Sequence, residues 1–152
     1  PQARTGEFLD RHLYNLAHAR GTPTIGLETT AEQLSLFEQF TLAEQLALLR
    51  AAIAQQDDAG SMFDQLVDAY LRGALGELLA LSEARLPGVD AALQQRFRDI
   101  LIDARNRRML HRILALPGSR RYFIAVGALH LPGRSGVLSG LQDSGYRIHR
   151  LH

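Results

Sequence analysis

Apolar residues recur every three or four positions along much of the chain, which is the spacing of helices with one buried face. In the first such stretch Leu9, Leu13 and Leu16 share a face, and Gly21 follows them. A glycine at that place commonly ends a helix. The same spacing predicts three more helices, which follow Thr41, run from about Ser61 to Gly73, and extend from Asp90 to Pro117.

Several polar residues stand where helices are predicted to begin. The segments Thr29–Glu32 and Thr41–Glu44 both read Thr-x-x-Glu, the pattern of a capping box. In that motif the Thr oxygen accepts an N–H of the first turn, and the Glu side chain reaches back to the Thr N–H. Ser135 is likewise predicted to cap a short helix that runs through Leu141 and is closed by Gly145.

Three shorter segments have the composition of strands: Thr24 to Glu28, Tyr122 to Ala128, and Tyr146 to Leu151. Strands that alternate with helices predict an α/β fold, here a small, mostly parallel sheet with a large helical insertion. Ligands of such sheets bind beyond the carboxyl ends of the strands. Glu28 and His130 are therefore expected at one edge of the sheet.

Composition excludes several classes of protein but does not indicate a function. The chain of 152 residues is expected to form a single domain, residues 1–152, and its net charge of +1 argues against a nucleic-acid partner. It contains no cysteine, which excludes disulfides and thiolate metal sites. No apolar stretch reaches the ~20 residues of a membrane-spanning helix.

Glu28 and His130 offer a carboxylate and an imidazole nitrogen, donors that suit Zn, Mn or Co. Two ligands do not complete a metal site. The alternative interpretation is structural, with His130 hydrogen-bonded to its own turn and Glu28 at the start of the next helix. Both interpretations are open at the level of sequence.

The segment Arg105-Asn-Arg-Arg108 lies in the middle of the predicted long helix. A run of arginines on a helix is usually a solvated face. Alternatively, Arg105 and Asn106 project toward the carboxyl edge, where they orient Glu28 or hold a substrate carbonyl.

Longer motifs give the chain a family resemblance. The stretches IGLETTAEQLSLF, DAYLRG, RNRRM and YFIAVGALHLPGRSGVLSGLQDSGYRIHRL resemble, in this order, the C-terminal portion of the TraB/GumN family, which includes the PrgY and Tiki proteins. Such proteins typically carry two G-x-x-H motifs. Gly127-Ala-Leu-His130 matches the second, and the first has no counterpart in this sequence.

The resemblance implies a ChaN/EreA-like α/β fold and a divalent-metal-dependent hydrolase that acts on peptides, in the cell envelope or periplasm. It makes His130 a metal ligand, Glu28 a ligand or general base, and Arg105 and Asn106 catalytic support. It also implies that Mn, Co or Zn is the metal, that peptides are substrates, and that this chain alone is inactive. The alternatives are a non-catalytic binding or regulatory module, and a homo-oligomer formed through an exposed sheet edge.

Overall fold

The structure is a computed structural model that describes residues 8–56 and 59–151. Within these ranges the chain forms eight α-helices, which are joined by turns and extended segments. Their bounds are α1 Leu9–Ala19, α2 Thr30–Leu34, α3 Leu42–Ala54, α4 Ala59–Leu71, α5 Leu75–Ser82, α6 Ala91–Arg98, α7 Ala104–Leu114 and α8 Val137–Asp143. Single 3-10 turns occupy Phe37–Gln39 and Ala128–His130, and a π-helical turn occupies Asp99–Asp103.

The predicted helix starts are confirmed where the local signal is strong. Both capping boxes form: the N–H of Thr29 donates to Glu32 at 2.8 Å, and that of Thr41 donates to Glu44 at 2.7 Å. Asp90 accepts from a backbone N–H at 2.8 Å and caps α6. These bonds satisfy N–H groups that the first turn of a helix cannot pair internally.

The prediction for Ser135 is wrong, because the residue that precedes α8 is Gly136 and no side chain caps that helix. The carbonyl of Ser135 is used instead, as an acceptor for the Asn106 amide at 2.8 Å. Gly136 permits a close approach here, since a Cβ on it would lie 2.3 Å from the carbonyl oxygens of Leu131 and Pro132. The end of α8 is as predicted, with Gly145 at a φ of 90°.

The predicted long helix is continuous from α6 through the π turn into α7. A π turn inserts an extra residue into the helix, so it shifts the faces on either side relative to each other. Residues of α7 therefore point in different directions from those that an uninterrupted α-helix would give them.

The predicted α/β fold is not observed, since the described residues form no strand and no sheet. Residues 23–26 and 121–126 have no regular secondary structure and no backbone hydrogen bonds among the described residues, and the segment after Gly145 forms no strand. Strands form only where a neighbouring backbone pairs with their N–H and C=O groups. Without such a neighbour among the described residues, Ile25 is 71% exposed and Phe123 82%. The sheet edge that was expected to mediate homo-oligomer formation is therefore absent from the described residues.

The core lies where α3 and the turn before it meet the long helix. Its buried members are apolar side chains from these elements and from the loop before α6, namely Leu36, Phe40, Ala51, Val89, Leu93 and Ile100. Further buried apolar side chains lie on α4, α5, α7 and α8, namely Ala69, Leu78, Met109, Ile113 and Val137. Met109 and Ile113 give α7 a buried apolar face. No helix in the described ranges is long and apolar enough to cross a membrane.

Candidate functional site

Three arginines of α7 contact segment 27–32, which includes the first turn of α2. Arg105, Arg108 and Arg112 lie three and four positions apart, a spacing that places them on one side of a helix. Arg112 donates to both carboxylate oxygens of Glu32 at 2.9 and 2.7 Å, and Arg108 lies 3.8 Å from the same carboxylate. Arg112 also donates to the carbonyl of Leu27 at 2.6 Å. Segment 27–32 is therefore held against α7 by charge and hydrogen bonds.

Glu28 and Arg105 form the second ion pair of this surface. Nε of Arg105 lies 3.0 and 3.1 Å from the two carboxylate oxygens, and Nη2 lies 2.7 Å from Oε2. The pair is largely buried, with 5% of the Glu28 side chain and 21% of the Arg105 side chain exposed. Such two-point contacts fix orientation as well as charge. Arg105 thus orients Glu28, as one interpretation of the sequence expected.

The Arg105 guanidinium also determines the protonation of Glu28. Burial by itself raises the pKa of this carboxyl, but hydrogen bonds from Arg105 and Gln33 and the charges of Arg105 and Arg108 together outweigh it, so the pKa lies below its ordinary value. Hydrogen bonds from Arg112 and from the Thr29 backbone lower the pKa of Glu32 to about 2, against the smaller effect of its burial. Both carboxyls are consequently ionised at neutral pH.

His130 is oriented by Asn106. Asn106 donates from Nδ2 to the carbonyl of Ser135 at 2.8 Å, which directs its oxygen toward the imidazole. That oxygen lies 2.7 Å from Nδ1 of His130. A carboxamide oxygen only accepts, so Nδ1 carries the hydrogen and Nε2 carries the lone pair. No described residue hydrogen-bonds to Nε2. This nitrogen is not one of the fully buried side-chain atoms that lack a hydrogen-bond partner.

The surroundings of His130 favour its neutral form. Only 7% of the residue is exposed, and burial is the largest cause that lowers its pKa below 6.5. The charge of Arg105 lowers the pKa further, while that of Glu28 opposes it. A neutral imidazole with a free Nε2 is the form that binds metal ions or accepts protons.

One hollow of about 1650 Å³ joins these groups. Its wall is made of α1, α2, α7 and the irregular segments 22–28 and 121–127. Glu28, Arg105 and His130 all line it. Asn106 lies behind His130 and is only 2% exposed.

These residues fit one position of a metal site and do not complete it. No group of three His, Asp or Glu side chains within residues 8–56 and 59–151 could hold an ion. Glu28 already has both oxygens on Arg105, which leaves Nε2 of His130 as the open donor. Catalytic zinc sites use three protein ligands, so further donors must come from elsewhere if a metal binds here.

Sequence reasoning missed Arg112, Glu32 and the Ser135 carbonyl. Glu32 was assigned only to its capping box, although it serves the box and Arg112 together. The signal for Arg112 was the spacing of the α7 arginines, which share a side of the helix. Nothing in the sequence pointed to a carbonyl 29 residues beyond Asn106 as its anchor.

Comparisons with known proteins identify the family of the chain. The sequence profile of the TraB/PrgY/gumN family matches residues 1–150. The chain is 31% identical over 101 residues to a "Metalloprotease TIKI homolog" of Nematostella vectensis, a match that covers 56% of this chain and 21% of that protein. The matched region thus spans about a fifth of the length of this relative, and no solved structure matches the chain. The chain belongs to the TraB/PrgY/gumN family.

Proposed function

We propose that this chain carries the C-terminal part of a divalent-metal-dependent hydrolase site that acts on peptides. The observation that supports the proposal most directly is the His130–Asn106–Ser135 chain of hydrogen bonds, which presents a neutral imidazole nitrogen beside an ionised carboxylate. Metal-binding histidines are commonly oriented in this way through their second ring nitrogen. The relative named as a metalloprotease is consistent with the reaction class.

The residues of this chain would have the following roles in the proposed reaction. His130 holds one position of the metal through Nε2, and Asn106 fixes the tautomer that makes this nitrogen available. Arg105 retains N–H groups beyond the Glu28 contacts and can stabilise negative charge on a substrate oxygen. Glu28 retains lone pairs that can accept a proton from water. A bound divalent ion supplies a Lewis acid and lowers the pKa of its water.

The remaining ligands belong, in this proposal, to polypeptide outside the sequence described here. The match covers 21% of the relative, so most of that protein lies outside the match and has room for these ligands. The isolated chain is then expected to be inactive, and residues 1–152 to be the C-terminal part of a larger TraB/GumN-like domain.

A non-catalytic binding module is the second candidate, and one observation favours it. Glu28 is held by Arg105 through three contacts, so it is not free to bind a metal as the side chains stand. In a binding module the same ion pair simply secures the wall of the hollow.

Peptide hydrolysis separates these candidates. The assay uses the longest polypeptide that contains this sequence, supplied in turn with Mn, Co and Zn, and compares His130→Ala with His149→Ala. His149 is exposed and is the matched control. We expect metal-dependent cleavage that His130→Ala abolishes and His149→Ala retains. Cleavage that survives in His130→Ala, or no cleavage with any metal, contradicts the proposed function.

A further inference from the structure

The π turn that joins α6 to α7 encloses a carboxyl group that lacks a partner. Asp103 is the last residue of this turn, and only 8% of it is exposed. Its Oδ1 atom is fully buried and accepts no hydrogen bond, the one such side-chain atom in residues 8–56 and 59–151. Buried polar atoms are nearly always hydrogen-bonded, so an exception calls for an explanation. Because the described residues already enclose this atom, polypeptide elsewhere in the domain cannot reach it while the turn keeps this shape.

The surroundings of Asp103 oppose its ionisation. Burial is the largest cause that raises the pKa of this carboxyl above its ordinary 3.8, and the hydrogen bond and charge of Asp99 act in the same direction. Arg98 and Arg107 oppose the rise through their charges, but Arg98 lies 3.9 Å from the carboxylate, too far for a hydrogen bond. His130, the titratable residue of the turn that packs against this one, adds no charge in its neutral form.

The π turn also sets the direction of the residues that form the site. It is closed by a hydrogen bond to the carbonyl of Asp99 from the N–H five positions on, so it holds one residue more than a turn of α-helix. Arg105 follows directly and donates to Glu28. Asn106 comes next and accepts from His130. The enclosed carboxyl and the two side chains that orient the site thus lie within one turn of helix.

The extra residue of a π turn can move along a helix without rotating the helix on either side. If it moved one turn toward α7, residues 103–106 would rotate by about 100°, the angle that one residue of an α-helix occupies. The buried apolar faces of α6 and of the rest of α7 would keep their positions. That rotation carries Asp103 out of its enclosure and turns Arg105 and Asn106 away from their partners.

From these features we infer that the π turn is a proton-dependent positioning device for the site. While Asp103 is neutral, the turn stays at residues 99–103 and holds Arg105 and Asn106 on their partners. Ionised Asp103 raises the share of a form in which the extra residue has moved one turn along the helix, because an enclosed charge without a full set of partners is costly. The inference goes beyond the proposed function and rests on it only in so far as these side chains serve a reaction; the movement itself requires neither metal nor substrate.

Acid should favour the assembled site. In the moved form the Asp103 carboxyl is exposed and has its ordinary pKa of 3.8, whereas in the π turn its pKa is higher. The ratio of the moved to the unmoved form is therefore constant below pH 3.8 and rises about tenfold per pH unit between 3.8 and the higher pKa. Above the higher pKa the ratio is constant again, so a rise in pH weakens the site by a limited factor.

The test is an NMR titration, without metal, of the longest polypeptide that contains this sequence, with labelled alanine, asparagine and aspartate. The coupling across the hydrogen bond from Ala104 to Asp99 reports the π turn, and the side-chain amide of Asn106 reports its contact with His130. We expect the Asp103 carboxyl to titrate above pH 3.8, and both signals to change with the same midpoint. A titration of Asp103 that leaves the coupling unchanged overturns the inference, as does a pKa of Asp103 at or below 3.8.

Asp103→Asn keeps the shape of the side chain and cannot ionise. In this variant both signals should stay at their acidic values throughout the titration. Asp64→Asn, at an exposed position of α4, is the control and should titrate as wild type does. Signals of Asp103→Asn that still follow the wild-type curve overturn the inference, and the wild-type titration decides alone if this variant does not fold.

The outcome for the π turn is independent of the outcome for catalysis. If the coupling and the Asn106 amide follow Asp103 in a polypeptide that cleaves no peptide with any metal, the proposed function fails and the positioning device stands. If cleavage depends on His130 but the coupling does not follow Asp103, the device is wrong and the proposed function stands.

Discussion

Nδ1 of His130 donates to the side-chain oxygen of Asn106 over 2.7 Å, although the two residues lie 24 positions apart on different elements. This bond decides which nitrogen of the imidazole faces the hollow. It depends in turn on the Ser135 carbonyl, which holds the other end of the Asn106 amide. The chemistry proposed for His130 is therefore set by a residue that does not itself line the hollow.

Asn106→Leu should change the His130 tautomer and destabilise the protein. The substitution leaves the Nδ1–H of His130 and the Ser135 carbonyl without partners, at a cost of about 3 kcal/mol in unfolding free energy. Denaturant unfolding measures the cost, and the ¹⁵N shifts of the imidazole report the tautomer. Gln142→Leu, at an exposed position, is the control. An unchanged tautomer in Asn106→Leu would contradict the assigned role.

His130 should make stability fall in mild acid. Burial lowers its pKa in the folded protein below the ordinary 6.5, so the unfolded chain binds the proton more readily. The stability that the neutral imidazole contributes is fully present above pH 6.5. It is lost as the pH falls toward the lower pKa that His130 has in the folded protein. His130→Gln should flatten the pH dependence of the unfolding free energy below pH 6.5, and His149→Gln should not. A curve of His130→Gln that matches wild type would refute this.

Glu32 should govern stability at lower pH. Its pKa in the folded protein is about 2, against an ordinary 4.5, mainly because Arg112 hydrogen-bonds to the charged form. The carboxylate therefore stabilises the fold above pH 4.5, and this contribution is lost as the pH falls toward 2. Glu32→Gln should be less stable at pH 7 and should change less on acidification than wild type. Glu38→Gln, on the exposed turn nearby, should behave as wild type in both respects.

Arg105→Lys should weaken the contact between α7 and segment 27–32. A lysine keeps the charge but cannot reproduce the guanidinium contacts with both oxygens of Glu28, so we expect a loss of about 1 kcal/mol in unfolding free energy. Arg72→Lys is the matched control, because Arg72 pairs with Asp68 at the surface. Exposed pairs of this kind contribute roughly 0–1 kcal/mol. A loss at Arg72 equal to or greater than that at Arg105 would contradict the prediction.

Gly136→Ala should disturb the anchor of Asn106. An added Cβ would lie 2.3 Å from two backbone oxygens, and backbone cannot move aside as the end of a side chain can. We expect a loss of about 1–3 kcal/mol and a shift of the His130 imidazole resonances. Gly76→Ala, in α5 with open space around it, should be neutral or stabilising by up to about 1 kcal/mol. Equal stability of the two variants would show that the turn before α8 accommodates the methyl group.

Helices whose signals are local could be predicted from the sequence. The capping boxes at Thr29 and Thr41 and the cap at Asp90 act within one turn, so their geometry follows from residues three positions apart. The motifs around His130 also indicated the family, because such motifs are recognised from the order of short segments along the chain and do not depend on the tertiary structure.

Tertiary structure alone decided the rest. Tyr122–Ala128 has the composition of a strand, but a strand needs another backbone beside it, and no periodicity shows whether one is present. The pairing of Glu28 with Arg105 spans 77 residues, and the π turn before α7 shifts the face of the helix in a way that the apolar pattern does not encode. Local propensities act over a few residues, whereas sheet pairing and the site depend on how distant segments meet in space.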